Sequence, residues 1–215
     1  MTTNQEYWDA ALTRYTTKDW VNKPTIFAEQ ITQYLPPTGQ LLELASGQGQ
    51  DARYFARLRY EVTATDLVDT GLKEAAQKAE LENLHINFQI TDLAKPLSFP
   101  DNSFDIIYSH LGLHYFNKTD TKKLFAEIHR VLKPGGILAA LFNTTDDPEI
   151  HTSDFEKIEE NYYREVAFDF PKRYFSVPET QEFIQDIFEP LLLDNSGETY
   201  KDEIKTLIRL VVKKI

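Results

Sequence analysis

The greatest capacity for chemistry lies in the run Glu43-Leu44-Ala45-Ser46-Gly47-Gln48-Gly49 and at Asp66, about twenty positions further on. Gly47 and Gly49 make a loop whose backbone can take positive φ and approach a ligand with no Cβ in the way. An acid ending the next strand, as Asp66 does, accepts hydrogen bonds from both hydroxyls of a ribose. The same residues fit a rival pattern. Gly47-Gln48-Gly49-Gln50-Asp51-Ala52 matches G-x-G-x-x-A, the loop of a dinucleotide site. Charge separates the two readings. A pyrophosphate wants a helix N-terminus clear of anions, whereas Glu43 and Asp51 put carboxylates at the mouth of this loop. A ligand carrying a cationic amine and a sulfonium suits that mouth better.

A second group is His110 and His114. His114, followed by Tyr115 and Phe116, makes an aromatic wall with one titratable group, and imidazole is the side chain whose ordinary pKa suits proton transfer near neutrality. His114 is therefore the candidate catalytic residue, set against the alternative of a packed histidine bonded to backbone. The two histidines also stand at the spacing of a helical metal pair. Gly112 between them weakens a helix and no acidic third ligand is close in sequence, so no metal is expected.

Tyr162, Tyr163, Phe168, Phe170, Tyr174 and Phe175 form an aromatic segment, matched near the N-terminus by Tyr7, Trp8, Tyr15 and Trp20. Rings at helical spacing are usually core; as a set these favour an apolar, partly closed pocket. Trp20, Tyr115, Tyr174 and Phe175 are the candidate substrate contacts. Arg164, Lys172 and Arg173 are the nearest approach to a basic cluster. They either steer an anionic substrate or pair with Glu159, Glu160 and Glu165 on a solvated face.

Strands alternating with helices must position these groups. Leu41 to Leu44, Glu61 to Thr65, Ile86 to Ile90, Phe104 to Tyr108 and Ile137 to Phe142 read as five strands. Helices are expected at Asp51 to Leu58, Thr70 to Leu81 and Thr121 to Leu132, with Lys133-Pro134-Gly135-Gly136 ending the last. Two amphipathic helices precede them, and Pro36-Pro37-Thr38-Gly39 stops the second. Phe155 to Phe175 reads as a helix followed by an irregular segment, and Glu179 to Phe188 as another helix. Glu189 to Asp194 and Ile204 to Lys213 are too close for a helical crossover, so they pair antiparallel. The expected fold is α/β: a doubly wound, mostly parallel seven-stranded sheet with an antiparallel C-terminal strand.

Composition sets the outer limits. A length of 215 residues with 41% hydrophobic and 13% aromatic content supports one domain with a full core, which excludes a disordered chain. With no cysteine, disulfides, a thiol nucleophile and Cys-based zinc sites are excluded, and a reducing cytoplasm fits. A net charge of −11 disfavours nucleic acid as a partner. Met1 to Glu6 lacks the basic and apolar regions of a signal peptide, and no apolar run is long enough to span a bilayer, so no membrane partner is expected. Oligomeric state is unreadable.

From Leu41 to Phe142 the chain resembles the class I S-adenosylmethionine-dependent methyltransferases, especially small bacterial enzymes of the type 11 group. Leu41 to Gly49 resembles the first motif, an acid before G-x-G-x-G, with Ala45 where the first glycine usually lies. Val62 to Asp66 resembles the second strand with its ribose-holding acid, and Thr91-Asp92-Leu93 the segment whose aspartate receives the adenine amino group. Ser103 to Phe116 and Leu124 to Leu138 resemble the fourth strand and the turn into the fifth. The resemblance implies a Rossmann-like fold with the antiparallel final strand. It also implies S-adenosylmethionine as cofactor, S-adenosylhomocysteine as product and a small-molecule acceptor. The implied cofactor residues are Glu43, Ala45, Ser46, Gly47, Gly49, Asp66, Leu67, Asp92, Leu93, Ser109 and His110. The expected divisions are an N-terminal helical lid (1–37), a cofactor-binding core (38–145), an aromatic substrate-side insertion (146–188) and a C-terminal hairpin (189–215). Alternatives are an RNA or protein methyltransferase, an adenosine-ligand-binding protein without catalysis, and an NAD-dependent oxidoreductase.

Overall fold

A computed structural model describes residues 4–200 and 207–215. Helix α1 (Asn4–Tyr15) leads through a short 3-10 turn at Asp19–Asn22 to α2 (Ile26–Ile31), whose first turn is capped by the Thr25 hydroxyl accepting from Ala28 N–H. Then strands and helices alternate: β1 (Gln40–Leu44), α3 (Gln50–Arg57), β2 (Glu61–Asp66), α4 (Asp69–Leu81), β3 (Ile86–Ile90), β4 (Phe104–His110), α5 (Lys118–Val131) and β5 (Leu132–Asn143). These five strands are parallel, in the order β3-β2-β1-β4-β5.

Three short strands follow, β6 (Phe155–Glu159), β7 (Tyr162–Glu165) and β8 (Phe170–Arg173), forming a separate antiparallel sheet. After α6 (Val177–Ile184), β9 (Phe188–Gly197) and β10 (Leu207–Lys214) return to the main sheet. β10 lies antiparallel between β5 and β9, which completes the seven-stranded sheet. The first residues of the expected last strand, 204–206, lie outside the described residues.

Period-two side-chain alternation builds both faces of this sheet. Leu42, Leu44, Ile107, Leu138, Ala140 and Phe142 face α5 and α6, packing on Phe125, Ile128 and Phe183. Their strand neighbours Leu41, Ile106, Tyr108, Ala139 and Leu141 face α2 and α3, packing on Phe27, Ile31, Ala52 and Phe55. Each fully buried ring or branched side chain stabilises by about 2 kcal/mol, so the sheet is a stiff base for the loops at its edge.

Two expectations need correction. The segment from Phe155 to Phe175 is not a helix. Its residues alternate across three strands, with Tyr163 opposite both Lys157 and Lys172 and left-handed turns at Asn161 and Asp169. Nor does the fifth strand begin at Ile137. It starts at Leu132, and the pairing jumps from Phe104↔Leu132 to Ile106↔Ile137, so Lys133 to Gly136 bulge out of the ladder.

The loop after β1 is under local strain. Ala45 takes φ of 58°, a left-handed value that a Cβ makes unfavourable, and its neighbour Gly112 has no room for a side chain. A Cβ on Gly112 would lie 2.4 Å from Ala45 Cβ and 2.7 Å from Ser109 Oγ. Gly112→Ala is therefore expected to destabilise by about 2 kcal/mol or more. Ala45→Gly, which relieves the φ penalty but loosens the unfolded chain, should stabilise by at most about 1 kcal/mol. In the double variant, removing the Ala45 Cβ should recover part of the loss. Chemical denaturation of the four proteins checks this: strict additivity would mean that the two Cβ positions do not compete.

Candidate functional site

The parallel strands all end at one edge, and there the turns open a cavity of about 470 Å³. Backbone bonds lock its floor. Ser46 N–H donates to Thr65 O at 2.8 Å, Thr91 N–H to Asp66 O at 2.8 Å, and Leu111 N–H to Leu141 O at 3.1 Å. The glycine loop is tied to β2 by a side chain as well: Gly47 N–H donates to Asp66 Oδ2 at 2.8 Å, while Asp66 Oδ1 accepts Val68 N–H at 3.0 Å. Gly47 and Gly49 both sit at positive φ, and a Cβ on Gly49 would come 2.7 Å from Ala75 Cβ. Glycine is required there to let α3 and α4 approach.

Of the candidate cofactor residues, Glu43, Ala45, Ser46, Gly47, Asp66, Leu67, Asp92, Leu93 and His110 line the cavity. Gly49 and Ser109 stand behind them: Gly49 precedes α3, and buried Ser109 donates its hydroxyl to Leu44 O at 2.8 Å. His114, Trp20 and Tyr115 also line the cavity. Tyr174 and Phe175 do not. The Tyr174 hydroxyl donates to Glu149, and Phe175 packs in the core against Phe142, with ring centroids 4.3 Å apart. Among the described residues, no three His, Asp or Glu side chains converge as a metal-ligand set.

The opposite wall comes from sequence-distant elements. Tyr7 and Trp8 of α1 meet Phe170 of β8 and Tyr115, with Tyr7 stacked on Phe170 at 4.5 Å and Trp8 edge-on to Tyr115 at 5.4 Å. α1 is held down by the loop itself. Gln48 Nε2 donates to Leu12 O at 3.0 Å and to Glu74 Oε2 at 2.8 Å.

Several of the residues that shape the site had no motif to announce them. Arg53 is buried and donates to Gln48 O, Gly49 O and Glu82, bracing the loop from below. Arg173 is fully buried, bonded to Glu159, Glu179 and the Phe116 carbonyl, and its own N–H donates to His114 O at 2.6 Å. It thereby fixes the segment that carries His114, Tyr115 and Phe116. Arg53 is a basic residue among apolar neighbours, which one sequence does not resolve. Arg173, expected to steer an anion or to pair on a solvated face, pairs with Glu159 and Glu179 in the interior instead.

Three carboxylates crowd the half of the cavity nearest the glycine loop. Burial, and then Asp51 and Asp66, push Glu43 well above the usual carboxylate range. Burial pushes Asp51 up to about 6, against hydrogen bonds from Thr25 N–H at 2.7 Å and the Tyr108 hydroxyl at 2.8 Å. Burial also raises Asp66, opposed by the N–H groups of Gly47 and Val68. On the other half, burial and then the charge of Lys172 push His114 down to about 3, so its ring is neutral at physiological pH.

Five buried side-chain atoms on the cavity wall have no hydrogen-bond partner in the protein: Glu43 Oε2, Ser46 Oγ, Gln48 Oε1, Thr91 Oγ1 and His114 Nδ1. Buried polar groups are seldom left this way, because each orphan costs about 1–3 kcal/mol. Their donors and acceptors suit a ligand with hydroxyls, an amine and ring nitrogens, and the surplus of carboxylates suits one with positive charge. A pyrophosphate would meet the same carboxylates at the start of α3, where Arg53 is already engaged in bracing the loop carbonyls.

Residues 42–140 match the family described as a methyltransferase domain. The 2-methyl-6-phytyl-1,4-hydroquinone methyltransferase of Synechocystis sp. is 32% identical over 148 residues, covering 65% of this chain and 45% of that protein. A ubiquinone/menaquinone biosynthesis C-methyltransferase of Psychromonas ingrahamii is 39% identical over 108 residues, covering 47% of this chain and 41% of that protein. The chain thus spans less than half the length of these curated relatives. The solved structure of Burkholderia thailandensis 1,6-didemethyltoxoflavin-N1-methyltransferase, with 1,6-didemethyltoxoflavin and S-adenosylhomocysteine bound, superposes with a TM-score of 0.72. It covers 96% of this chain and 83% of that one at 19% identity, a likeness of fold.

The buried groups make stability depend on pH in two opposing ways. Between 3.8 and about 6 the folded state holds a proton on Asp51 that the unfolded chain lacks, so this group's contribution to stability falls as pH rises. Between about 3 and 6.5 the unfolded chain protonates His114 and the folded state does not, so that contribution rises with pH. Asp51→Asn removes the first. Urea unfolding of this variant should show stability dropping more steeply on acidification from about pH 6 to 4, by about 1 kcal/mol or more relative to wild type. An unchanged slope would mean that Asp51 ionises normally in the fold.

Proposed function

From the membership of this chain in the class I S-adenosylmethionine-dependent methyltransferases, carried by residues 42–140, we propose that it transfers a methyl group to a small-molecule acceptor. The observation that supports this most is the set of partnerless polar atoms that line the cavity at the carboxyl ends of β1, β3 and β4. S-adenosylmethionine supplies a methyl on a cationic sulfur, open to in-line displacement by a nucleophile.

In this reading Asp66 accepts the ribose hydroxyls, with Gly47 N–H holding its carboxylate in place. Glu43 faces the cationic amine, and Ser46 and Thr91 complete the polar floor. Asp92 and Leu93 border the adenine, where Asp92 is oriented by Ala94 N–H at 3.0 Å. Residues 1–37 serve as the lid, 38–145 as the cofactor core and 146–188 as the acceptor side. Its aromatic wall excludes water, which strengthens every polar contact inside.

His114 has the role of orienting the acceptor. Its neutral ring offers Nδ1 to the acceptor's hydrogen, and a pKa of about 3 suits that better than strong general-base chemistry. A cytoplasmic setting belongs to the same proposal and rests on the cysteine-free composition. The dinucleotide alternative is less well supported, since the G-x-G-x-x-A run here contains the buried Asp51 and follows the buried Glu43.

Titration calorimetry with S-adenosylmethionine, S-adenosylhomocysteine and NAD tests the proposal. Micromolar binding of the sulfur ligands and none of NAD is expected; NAD binding alone would overturn it. Asp66→Ala should weaken S-adenosylhomocysteine at least about tenfold, roughly 1.4 kcal/mol. Glu43→Gln removes a buried carboxylate, so the free protein should melt higher at neutral pH while its affinity for the cofactor drops. A variant that is both more stable and equally tight in binding would take Glu43 out of the cofactor site.

A further inference from the structure

The three basic residues grouped by sequence go to three different places. Arg164 sits on the outer face, paired with Glu156 and Asp169. Arg173 is buried among Glu159, Glu179 and backbone carbonyls. Lys172 lines the cavity, and among the described residues it is the one Lys or Arg that does so.

Its placement beside His114 follows from the backbone. The bond from Arg173 N–H to His114 O runs β8 along the segment that carries the histidine, so Lys172 and His114 open on the same space. The Lys172 ammonium lies 3.3 Å from Glu165 and 5.6 Å from the centre of the Phe155 ring, with its side chain 17% exposed. One carboxylate at that distance leaves donors of the ammonium available. The carboxylates on this half of the cavity are engaged elsewhere: Glu149 takes the Tyr174 hydroxyl, and Asp147 Oδ1 accepts Glu149 N–H at 3.0 Å. Beside them stand the rings of Trp8, Tyr115 and Phe170, which contact one another.

We propose that the acceptor is an aromatic molecule bearing an ionisable hydroxyl, with its ring against Trp8, Tyr115 and Phe170 and its oxygen held between Lys172 and His114. This rests on the methyltransferase reading and names the acceptor for it. An ammonium acceptor would meet Lys172 in a low-dielectric pocket, where like charges repel strongly. A wholly apolar one would leave His114 Nδ1 without a partner and the ammonium with Glu165 as its one carboxylate. A phenolic oxygen answers both. As the phenol it donates its hydrogen to His114 Nδ1. Once that proton is lost to solvent, the anion is held by Lys172 and accepts from the Nδ1–H tautomer of the neutral imidazole.

The test uses 4-nitrophenol, whose anion absorbs visible light, with 4-nitroanisole and benzylamine as controls, all added to protein saturated with S-adenosylhomocysteine. The phenol should bind and shift toward its coloured anion at fixed pH; neither control should bind comparably. Lys172→Met should abolish the colour shift and weaken the phenol at least about tenfold. Its affinity for S-adenosylhomocysteine should stay within about twofold, which also shows that the variant is folded. Lys172→Arg should keep most of the shift. Benzylamine or nitroanisole binding as well as the phenol, an unshifted spectrum, or a Lys172→Met protein that behaves like wild type would each overturn the proposal. If S-adenosylhomocysteine binds and no probe does, the acceptor class is wrong and the cofactor reading stands. If S-adenosylhomocysteine itself fails to bind, the premise falls and the acceptor proposal with it.

Discussion

The bond from Gly47 N–H to the Asp66 carboxylate is the contact on which the site is hung. Parallel pairing of β1 with β2 delivers both chain ends to the same edge, Leu44 beside Thr65 and then Asp66. From there the chain must turn sharply into α3, and that turn leaves backbone N–H groups facing inward with no helix or sheet partner. Asp66 takes one of them, and Thr65 O takes that of Ser46. Remove the carboxylate and the loop keeps only its backbone tie to β2; keep it and the loop holds Ala45 and Gly47 at left-handed φ, with Gly112 pressed against the first of them. Strain of this kind persists only where surrounding structure over-determines it. Here the stiff, two-faced core does so.

Charge is the second constraint, and it works against stability. Glu43, Asp51 and Asp66 occupy one half of the cavity, each raised by burial, and Arg53 is the cation beneath them. Arg53 is itself fixed to loop carbonyls and Glu82, so it braces the backbone more than it neutralises the acids. An isolated protein gains nothing from that arrangement. It becomes favourable when a cation enters, because the same low dielectric that penalises the bare carboxylates strengthens their attraction for an opposite charge. The site is destabilised in advance in the sense that suits a positively charged ligand.

That the candidate residues around the glycine loop would share one cavity was legible in the sequence because they are near neighbours. One loop and two strand ends hold Glu43 to Gly49, Asp66 and Asp92, and apolar runs such as Ile106-Ile107 mark the central strands that aim them. The acceptor half was not, and parity explains why. In an extended strand successive side chains point to opposite faces, so reading Phe155 to Phe175 as a helix scrambles which residues share a surface. Phe170 and Lys172 of β8 face the cavity, Arg173 faces the ion-pair network, and Tyr174 and Phe175 beyond it turn to Glu149 and the core. Asn161 and Asp169, both residue types that tolerate left-handed turns, were the available clue to the two hairpins.

That division has a consequence for how specificity is built. The cofactor half is made of strand ends in a rigid parallel sheet, where moving one residue disturbs two neighbours' registers. The acceptor half is assembled from α1, the segment after β4 and the small three-stranded sheet, joined by side-chain contacts such as Gln48 to Leu12 and by the single backbone bond between β8 and His114. Substitutions in β6 to β8 can alter what faces His114 while leaving Asp66 and its loop untouched. A fold arranged this way can hold the glycine-loop half constant while the half built on β6 to β8 changes. Lys172 is the position where the two halves meet: it lies on the small sheet, yet its charge bears directly on the imidazole of His114.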